Sequence, residues 1–434
     1  MRLPRGGVAV LAATAGVALA NNYAIQPALG DVARDTGTSA SAVGLLTTAA
    51  LAGCIGGFAF LLPLADRAAP RRLVAGQLAL LTSGLLLAAG APGLGVLILA
   101  YVLVGAGASV SAMASTIAGR GVPEERRGAA VATVAAGMSA GILLSRLVGG
   151  ALADAFGWRG MLLAFAGLVV VCGAGAWWRL PGERPEGGGG AGAGAGAGAG
   201  VEAGAGAGGY LGTLAALPGL LRRHRTLRLA VLNGSLWYLA FSLVWVALTV
   251  RLAQPPYGLD AGAIGLYSLA GALGFAALPV AGRLGDRYSP RAVIAGSMGV
   301  AVAGAALLCT GLDRPVVTAT GLALVDAGCF TAQAANQTRV LSIDPPRSGS
   351  LSGVYLLLYF LAGATGAALG APLVSVGGWG AASGVVCAAL VVAGALAFRR
   401  PRPVGESGAV VASPCGDRAA GQVRLLRRLG GGPN

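Results

Sequence analysis

Two ionisable side chains stand alone inside long apolar runs. Asp326 lies in Leu322-Ala323-Leu324-Val325-Asp326-Ala327-Gly328, and Arg146 lies in Gly141-Ile142-Leu143-Leu144-Ser145-Arg146-Leu147-Val148-Gly149-Gly150. At the centre of a bilayer a charged side chain costs about 2.5–3.5 kcal/mol on insertion scales, so each is first read as functional. A carboxyl withdrawn from water can take up and release a proton, or hold a cationic group. A guanidinium can hold an anionic group or the carboxylate itself. The two residues differ in expected depth by about one helix turn, so pairing is open. Structural roles compete with both readings. Asp326 could tie one helix to another by a hydrogen bond, and Arg146 could run its stem outward and place its charge at the membrane surface.

Other chemistries are poorly supplied. The single histidine, His224, sits in the basic run Arg222-Arg223-His224-Arg225, where a solvated face is expected. The six cysteines, Cys54, Cys172, Cys309, Cys329, Cys387 and Cys415, are scattered and form no CxxC pair. They read as small packing residues, and neither a metal site nor a disulfide is expected. No G-x-x-x-x-G-K-[ST] loop is present, so ATP is not the expected energy source. No paired catalytic groups stand out, so an intramembrane enzyme is not expected, and no cofactor is called for.

The elements that must position Asp326 and Arg146 are membrane helices. Of 434 residues, 56% are hydrophobic and 11% charged, against about 25% charged in soluble domains. Apolar runs of spanning length occupy residues 8–29, 41–64, 73–91, 94–118, 128–152, 160–178, 227–250, 262–282, 292–311, 315–338, 350–374 and 380–398. The tight breaks at Ala91-Pro92-Gly93 and Gly377-Gly378 mark helical hairpins. Arg2 and Arg5 before an apolar run, with Ala18-Leu19-Ala20 after it, resemble a secretory leader. The run continues to Leu29, so a first span is expected instead.

All 31 basic residues are arginine. With the N-terminus in the cytoplasm, the loops holding Arg67, Arg71, Arg72, Arg120, Arg126, Arg127, Arg283, Arg287 and Arg291 fall inside, as do both chain ends. Arg34, Arg159, Arg251 and Arg314 fall outside. This bias sets both termini in the cytoplasm and requires an even number of spans. It also accounts for the net charge of +15 without a nucleic-acid partner. Residues 187–209 are almost entirely Gly and Ala, which reads as a flexible linker reaching about 25–30 Å. The expected organisation is a bundle over 1–180, a linker with its basic run over 181–226, a second bundle over 227–398 and a disordered tail over 399–434.

A repeat underlies that division. Asp66, Arg67, Pro70 and Arg71 recur at one common separation as Asp286, Arg287, Pro290 and Arg291. Gly157-Trp158 recurs as Gly378-Trp379 at nearly the same separation. Duplication of a six-helix unit follows, an arrangement in which substrate binds between the repeats.

The pattern Gly282-x-Leu284-x-Asp286-Arg287-x-x-x-Arg291, with its weaker first copy around Asp66, Arg67 and Arg71, resembles the major facilitator superfamily. Asn21-Asn22-Tyr23 with Gln26-Pro27, the Gly149-Gly150 to Arg159 stretch and the run Asp326 to Gln337 are similar to a bacterial subgroup of efflux-like permeases. The resemblance implies an all-α membrane protein of twelve spans in two pseudo-symmetric six-helix bundles. It implies a monomer in the plasma (inner) membrane that moves a small organic solute by alternating access, with protons as the driving ion and export as the direction. Uptake, by symport or uniport, is the alternative; a non-transporting receptor or scaffold is a weaker one. It also implies that the Asp–Arg clusters at Asp66, Arg67, Arg71, Gly282, Asp286, Arg287 and Arg291 gate the cytoplasmic side. Spans one, four, seven and ten line the cavity in this family. That makes Asn21, Asn22, Tyr23, Gln26, Tyr101, Asn233, Trp237, Tyr238, Gln333, Asn336 and Gln337 candidate lining residues, joined by Tyr355 and Tyr359 of span eleven. Two departures bear on antiport: Ser145-Arg146 stands where drug:proton antiporters carry Gly-Pro, and Tyr101 where they carry an Arg.

Overall fold

The computed structural model describes residues 3–4, 6–61, 69–182, 219, 221–271, 287–341, 343 and 348–398. Among these residues the regular structure is helical, with no strand. The first half of the chain forms α1 (Gly7–Ala20), α2 (Leu29–Thr36), α3 (Ala40–Phe60), α4 (Pro70–Ala89), α5 (Leu94–Ala108), α6 (Val110–Arg120) and α7 (Arg127–Arg179). The second half forms α8 (Arg225–Leu252), α9 (Ala261–Leu266), α10 (Pro290–Cys309), α11 (Pro315–Leu341) and α12 (Ser348–Phe398). Among the described residues, with α5 and α6 taken as one, 8 helices are long and apolar enough to cross a membrane. Two shorter apolar helices, Gly7–Ala20 and Ala261–Gly271, accompany them. Each of the apolar runs expected from the sequence falls at least partly on one of these helices.

The two longest helices are hairpins. The first arm of α7 runs parallel to α1, with Gly137 beside Ala12, Gly141 beside Gly16 and Gly149 beside Ala24. The second arm returns along α4. Arg159 Nη2 donates to the Ala91 carbonyl at 3.2 Å just past the end of α4, and the Arg71 guanidinium near its start lies 3.8 Å over the Trp177 ring. The reversal falls at Gly157, with φ 72 and ψ 163. In α12 the first arm follows α8, with Gly366 beside Leu239 and Gly370 beside Leu243. Its second arm runs back along α10, and the reversal falls at Gly378, with φ 63 and ψ −166. Positive φ with extended ψ is essentially open to glycine alone. After each such glycine a buried Trp anchors the corner: the Trp158 indole donates to Asp35 Oδ2 at 3.2 Å, and the Trp379 indole to the Leu308 carbonyl at 2.7 Å.

The partnering of helices repeats between the halves. α1 packs on α7 as α8 packs on α12; α4 packs on α5 and α7 as α10 packs on α11 and α12. The halves then meet along two seams. One joins α3 to α12, where Thr48 Oγ1 donates to the Ala364 carbonyl at 3.3 Å and the Phe58 and Phe360 rings lie 5.2 Å apart. The other joins α7 to α9, where the Gly262 N–H donates to Asp154 Oδ2 at 2.8 Å. Small residues carry the close approaches, as expected where lipid gives helices no hydrophobic reason to associate. Any carbon added at Gly141 would overlap the Gly16 carbonyl.

Among the described residues three expected spans are interrupted, that over 262–282 at Tyr267, where α9 ends. The run over 8–29 leaves helix after Ala20, passes through turns and resumes as a short 3-10 segment, Gln26–Ala28. Pro27 has no N–H to give the Tyr23 carbonyl, and Asn21 Nδ2 takes the Val17 carbonyl at 2.7 Å, competing with the backbone. The run over 94–118 breaks at Ser109, whose hydroxyl bonds the Ala106 carbonyl at 2.7 Å. Asp66, Arg67, Gly282 and Asp286 of the repeated motif lie outside the described residues, as do the Gly/Ala stretch 187–209 and the tail over 399–434.

Gly157→Val and Gly378→Val should each destabilise the protein by about 1–3 kcal/mol, read as earlier thermal unfolding in detergent. Gly76→Ala, on α4 with no heavy atom within 4 Å of the new carbon, should leave the transition unchanged or slightly raised.

Candidate substrate and proton site

Arg146 reaches inward, not to the membrane surface. It is 3% exposed, on the first arm of α7. Its Nε donates to Gln26 Oε1 at 2.7 Å, an acceptor placed there by the 3-10 turn that interrupts the first span. Aromatic faces surround the guanidinium: Trp245 at 4.1 Å, Tyr23 at 4.9 Å and Phe241 at 5.7 Å from the ring centroids. A desolvated cation over an aromatic face gains about 2 kcal/mol, so these rings take the place of part of its lost hydration. Among the described residues Arg146 Nη2 has no hydrogen-bond partner.

Asp326 is 2% exposed, on α11. Its Oδ2 lies against Gly271, where a Cβ would come within 2.7 Å of it. Among the described residues Oδ1 has no hydrogen-bond partner. Asp326 and Arg146 are in electrostatic reach of each other, yet among the described residues no ion pair within 4.0 Å joins them. The Trp245 indole, whose face carries the guanidinium, approaches Asp326, but its N–H completes no hydrogen bond. The site therefore holds two opposite charges, separated, with donors and an acceptor to spare.

An aromatic wall continues from this pair into the second half of the chain. Tyr23 and Tyr238 share a hydrogen bond at 3.1 Å between their hydroxyls, linking the halves. The Tyr238 and Tyr359 rings stack at 4.0 Å, inclined by 5°, and Tyr355 stacks next to Tyr359 at 5.8 Å. Trp237 packs on Tyr359 at 5.2 Å.

Most of the remaining sequence candidates separate from this cluster, Gln333 excepted, which bonds Tyr355 of the aromatic wall. Asn336 Nδ2 donates to Asn233 Oδ1 at 2.6 Å, and Asn233 Nδ2 to the Ala393 carbonyl at 2.7 Å. These bonds tie α11, α8 and α12 within the second half. Asn22 Nδ2 donates to Cys54 Sγ at 3.1 Å, a tie within the first half, and Asn21 is held by its own helix. Gln333 accepts from the Tyr355 hydroxyl. Tyr101 is buried with no partner for its hydroxyl, and Gln337 is half-buried. Of the motif residues described, Arg71 caps Trp177, while Arg287 is exposed and Arg291 half-buried. Trp245 and Phe241, both in contact with Arg146, were not among the candidates. Their signal was the i, i+4, i+8 series Trp237, Phe241, Trp245, which places three rings on one helix face.

A profile of the Major Facilitator Superfamily matches residues 11–367 and 238–422. The chain belongs to the major facilitator superfamily. Membership in this superfamily makes it a multi-pass membrane transporter, of a class that carries small molecules. Related sequences run nearly end to end. The uncharacterized transporter YgaY of Escherichia coli O157:H7 is 28% identical over 386 residues, covering 89% of this chain and 92% of its own. The probable transporter SCO4007 of Streptomyces coelicolor is 30% identical over 393 residues, covering 90% and 87%. Among solved structures, a D-xylose-proton symporter superposes with a TM-score of 0.69 at 16% identity, over 91% of this chain and 97% of that one. A bacterial homologue of the human lysosomal transporter Spinster, inward-facing and occupied, gives 0.69 at 15% identity, over 90% and 95%. At such identities the likeness is one of superfamily fold.

Gln26→Leu removes the acceptor of a buried charged donor and should cost about 1–3 kcal/mol, measured by thermal unfolding in detergent. Combined with Arg146→Met the loss should be smaller than the sum of the two single losses, because the orphaned donor is then gone.

Proposed function

We propose that the protein is a proton-coupled secondary transporter of a small organic solute, with Asp326 carrying the proton and Arg146 contacting the solute. The observation that supports this most directly is the unsatisfied oxygen of Asp326, buried at the place where the two halves of the chain meet. A carboxyl that is fully paired has no reason to change protonation during a cycle; one with a spare oxygen beside a separated cation does. Tyr23, Gln26 and Arg146 come from the first half, and Tyr238, Trp245 and Asp326 from the second. Rocking the halves against each other would break these contacts and expose the pair to each side in turn, which is what alternating access requires.

We place the protein in the plasma (inner) membrane as a monomer, with the arginine-rich loops and both termini in the cytoplasm, and the segments 181–226 and 399–434 as linker and tail. Residues Asp66, Arg67, Arg71, Gly282, Asp286, Arg287 and Arg291 are proposed as the cytoplasmic gate. Direction depends on the sign of the coupling. Export, the direction suggested by the sequence, needs solute and proton to exchange; uptake needs them to travel together.

In proteoliposomes containing a pH-sensitive dye, a transported solute should drive proton movement. Asp326→Asn should abolish that movement while solute-for-solute exchange persists. Solute accumulation by Asp326→Asn that still follows an imposed pH gradient would remove Asp326 from the coupling mechanism.

A further inference from the structure

We infer that the solute is an amphipathic organic anion, a carboxylate on a flat apolar body, and that it crosses the membrane together with a proton. This rests on the proposed coupling role of Asp326 and adds the substrate class and the sign of coupling.

Guanidinium chemistry is the first ground. An arginine presents five donors in a planar fork that matches a carboxylate in two parallel bonds. At Arg146 the Nε is taken by Gln26, and Nη2 is left unpartnered in a side chain 3% exposed. Aromatic rings rather than further acceptors surround the cation, Trp245 at 4.1 Å and Tyr23 at 4.9 Å from the ring centroids. A flat apolar body would extend this ring stack, and its carboxylate would complete the fork.

Net charge is the second ground. Arg146 keeps its charge at every accessible pH. Among the described residues the titratable groups facing the pair are Tyr23 from the turn after α1, Tyr238 from α8 and Cys329 on α11 beside Asp326. These are neutral at physiological pH, and Gly271 of the α9 segment and Leu143 of α7 bring no charge. The empty site is neutral with Asp326 ionised. An anion entering it leaves a net negative charge in a region away from water, and that state is strongly disfavoured. The same anion with Asp326 protonated leaves the site neutral. Anion and proton therefore favour each other's binding, and the linkage is reciprocal. A cationic solute beside ionised Asp326 would instead leave the positive charge of Arg146 uncancelled. Joint passage makes an inward proton gradient drive uptake, opposite to the export suggested by the sequence.

The test uses purified full-length protein and three matched sets of probes: benzoate, phenylacetate and indole-3-acetate; benzylamine and tryptamine; benzyl alcohol and phenylalanine. At least one carboxylate should raise the melting temperature, more at pH 6 than at pH 8, and its binding in weak buffer should take up one proton per anion. Arg146→Lys, which keeps the charge but loses the fork, should weaken that binding by about tenfold or more. Asp326→Asn should bind the carboxylate with the same affinity at both pH values. Stabilisation confined to the amines, the alcohol or the zwitterion, or by no probe at all, overturns the inference, as does proton release on carboxylate binding. Those results leave the coupling role of Asp326 standing if proton movement still depends on it in liposomes. Gradient-dependent transport by Asp326→Asn removes that role whichever probe binds.

Discussion

A guanidinium held away from water, with no carboxylate in contact, is the interaction around which this molecule is arranged. A buried cation must recover its hydration from somewhere. Here one neutral acceptor and three ring faces do so. That solution differs from a salt bridge in a consequential way. A close Arg–Asp pair would satisfy both partners and hold the halves in one state, since breaking a buried pair costs several kcal/mol. A cation on aromatic faces is held by many weak, non-directional contacts, and a change of partners costs less. The arrangement suits a group that must bind something and release it again.

Much of the surrounding structure serves to bring that cation and its rings together from distant parts of the chain. Gln26 reaches Arg146 because the first span stops being helical after Ala20, so the backbone turns its Gln inward. Arg146 lies at the right depth because the first arm of α7 rides closely on α1, through Gly137, Gly141 and Gly149. Bulkier residues there would push α7 outward and withdraw the guanidinium from Tyr23. Across the seam, α8 contributes Tyr238, Phe241 and Trp245 from one face. Asp326 approaches only because Gly271 leaves room for its carboxylate. Absence of a side chain at particular points is thus as much a part of the site as the charged groups.

The sequence displayed this unevenly, for physical reasons. Arg146 and Asp326 stood out because a lone charge in an apolar run is costly wherever it points. The corner at Gly378 was visible as a tight Gly377-Gly378 break, because reversal of a helix needs a backbone conformation that few residues tolerate, while Gly157-Trp158 showed only as an echo of Gly378-Trp379. Trp245 and Phe241 were passed over because an aromatic in an apolar span is compatible with lipid, core or site; only the docking of the two halves distinguishes them. Packing within the second half decides that Asn233 and Asn336 bond each other rather than face Arg146. Hydropathy records how apolar a segment is, not which way it turns, so the breaks at Asn21 and Ser109 were also lost in otherwise unbroken runs.

The separation of Arg146 from Asp326 has a further consequence for how the halves communicate. The rings around Arg146 belong to both halves: Tyr23 to the first, Trp245 and Phe241 to the second. The Tyr23–Tyr238 hydrogen bond closes the link. When the charge on Asp326 changes, the field acting on Arg146 changes with it, and the guanidinium can shift only by moving against rings from the opposite half. On the proposed coupling, a proton event at Asp326 would act as a force across the seam. Among the described residues its other contacts, between α3 and α12 and between α7 and α9, combine close approaches of small residues and the Phe58–Phe360 ring contact with few hydrogen bonds, so the seam can transmit it. A tightly bonded seam would absorb the change without moving. The sparse one found here lets two buried charges bias the position of whole helices.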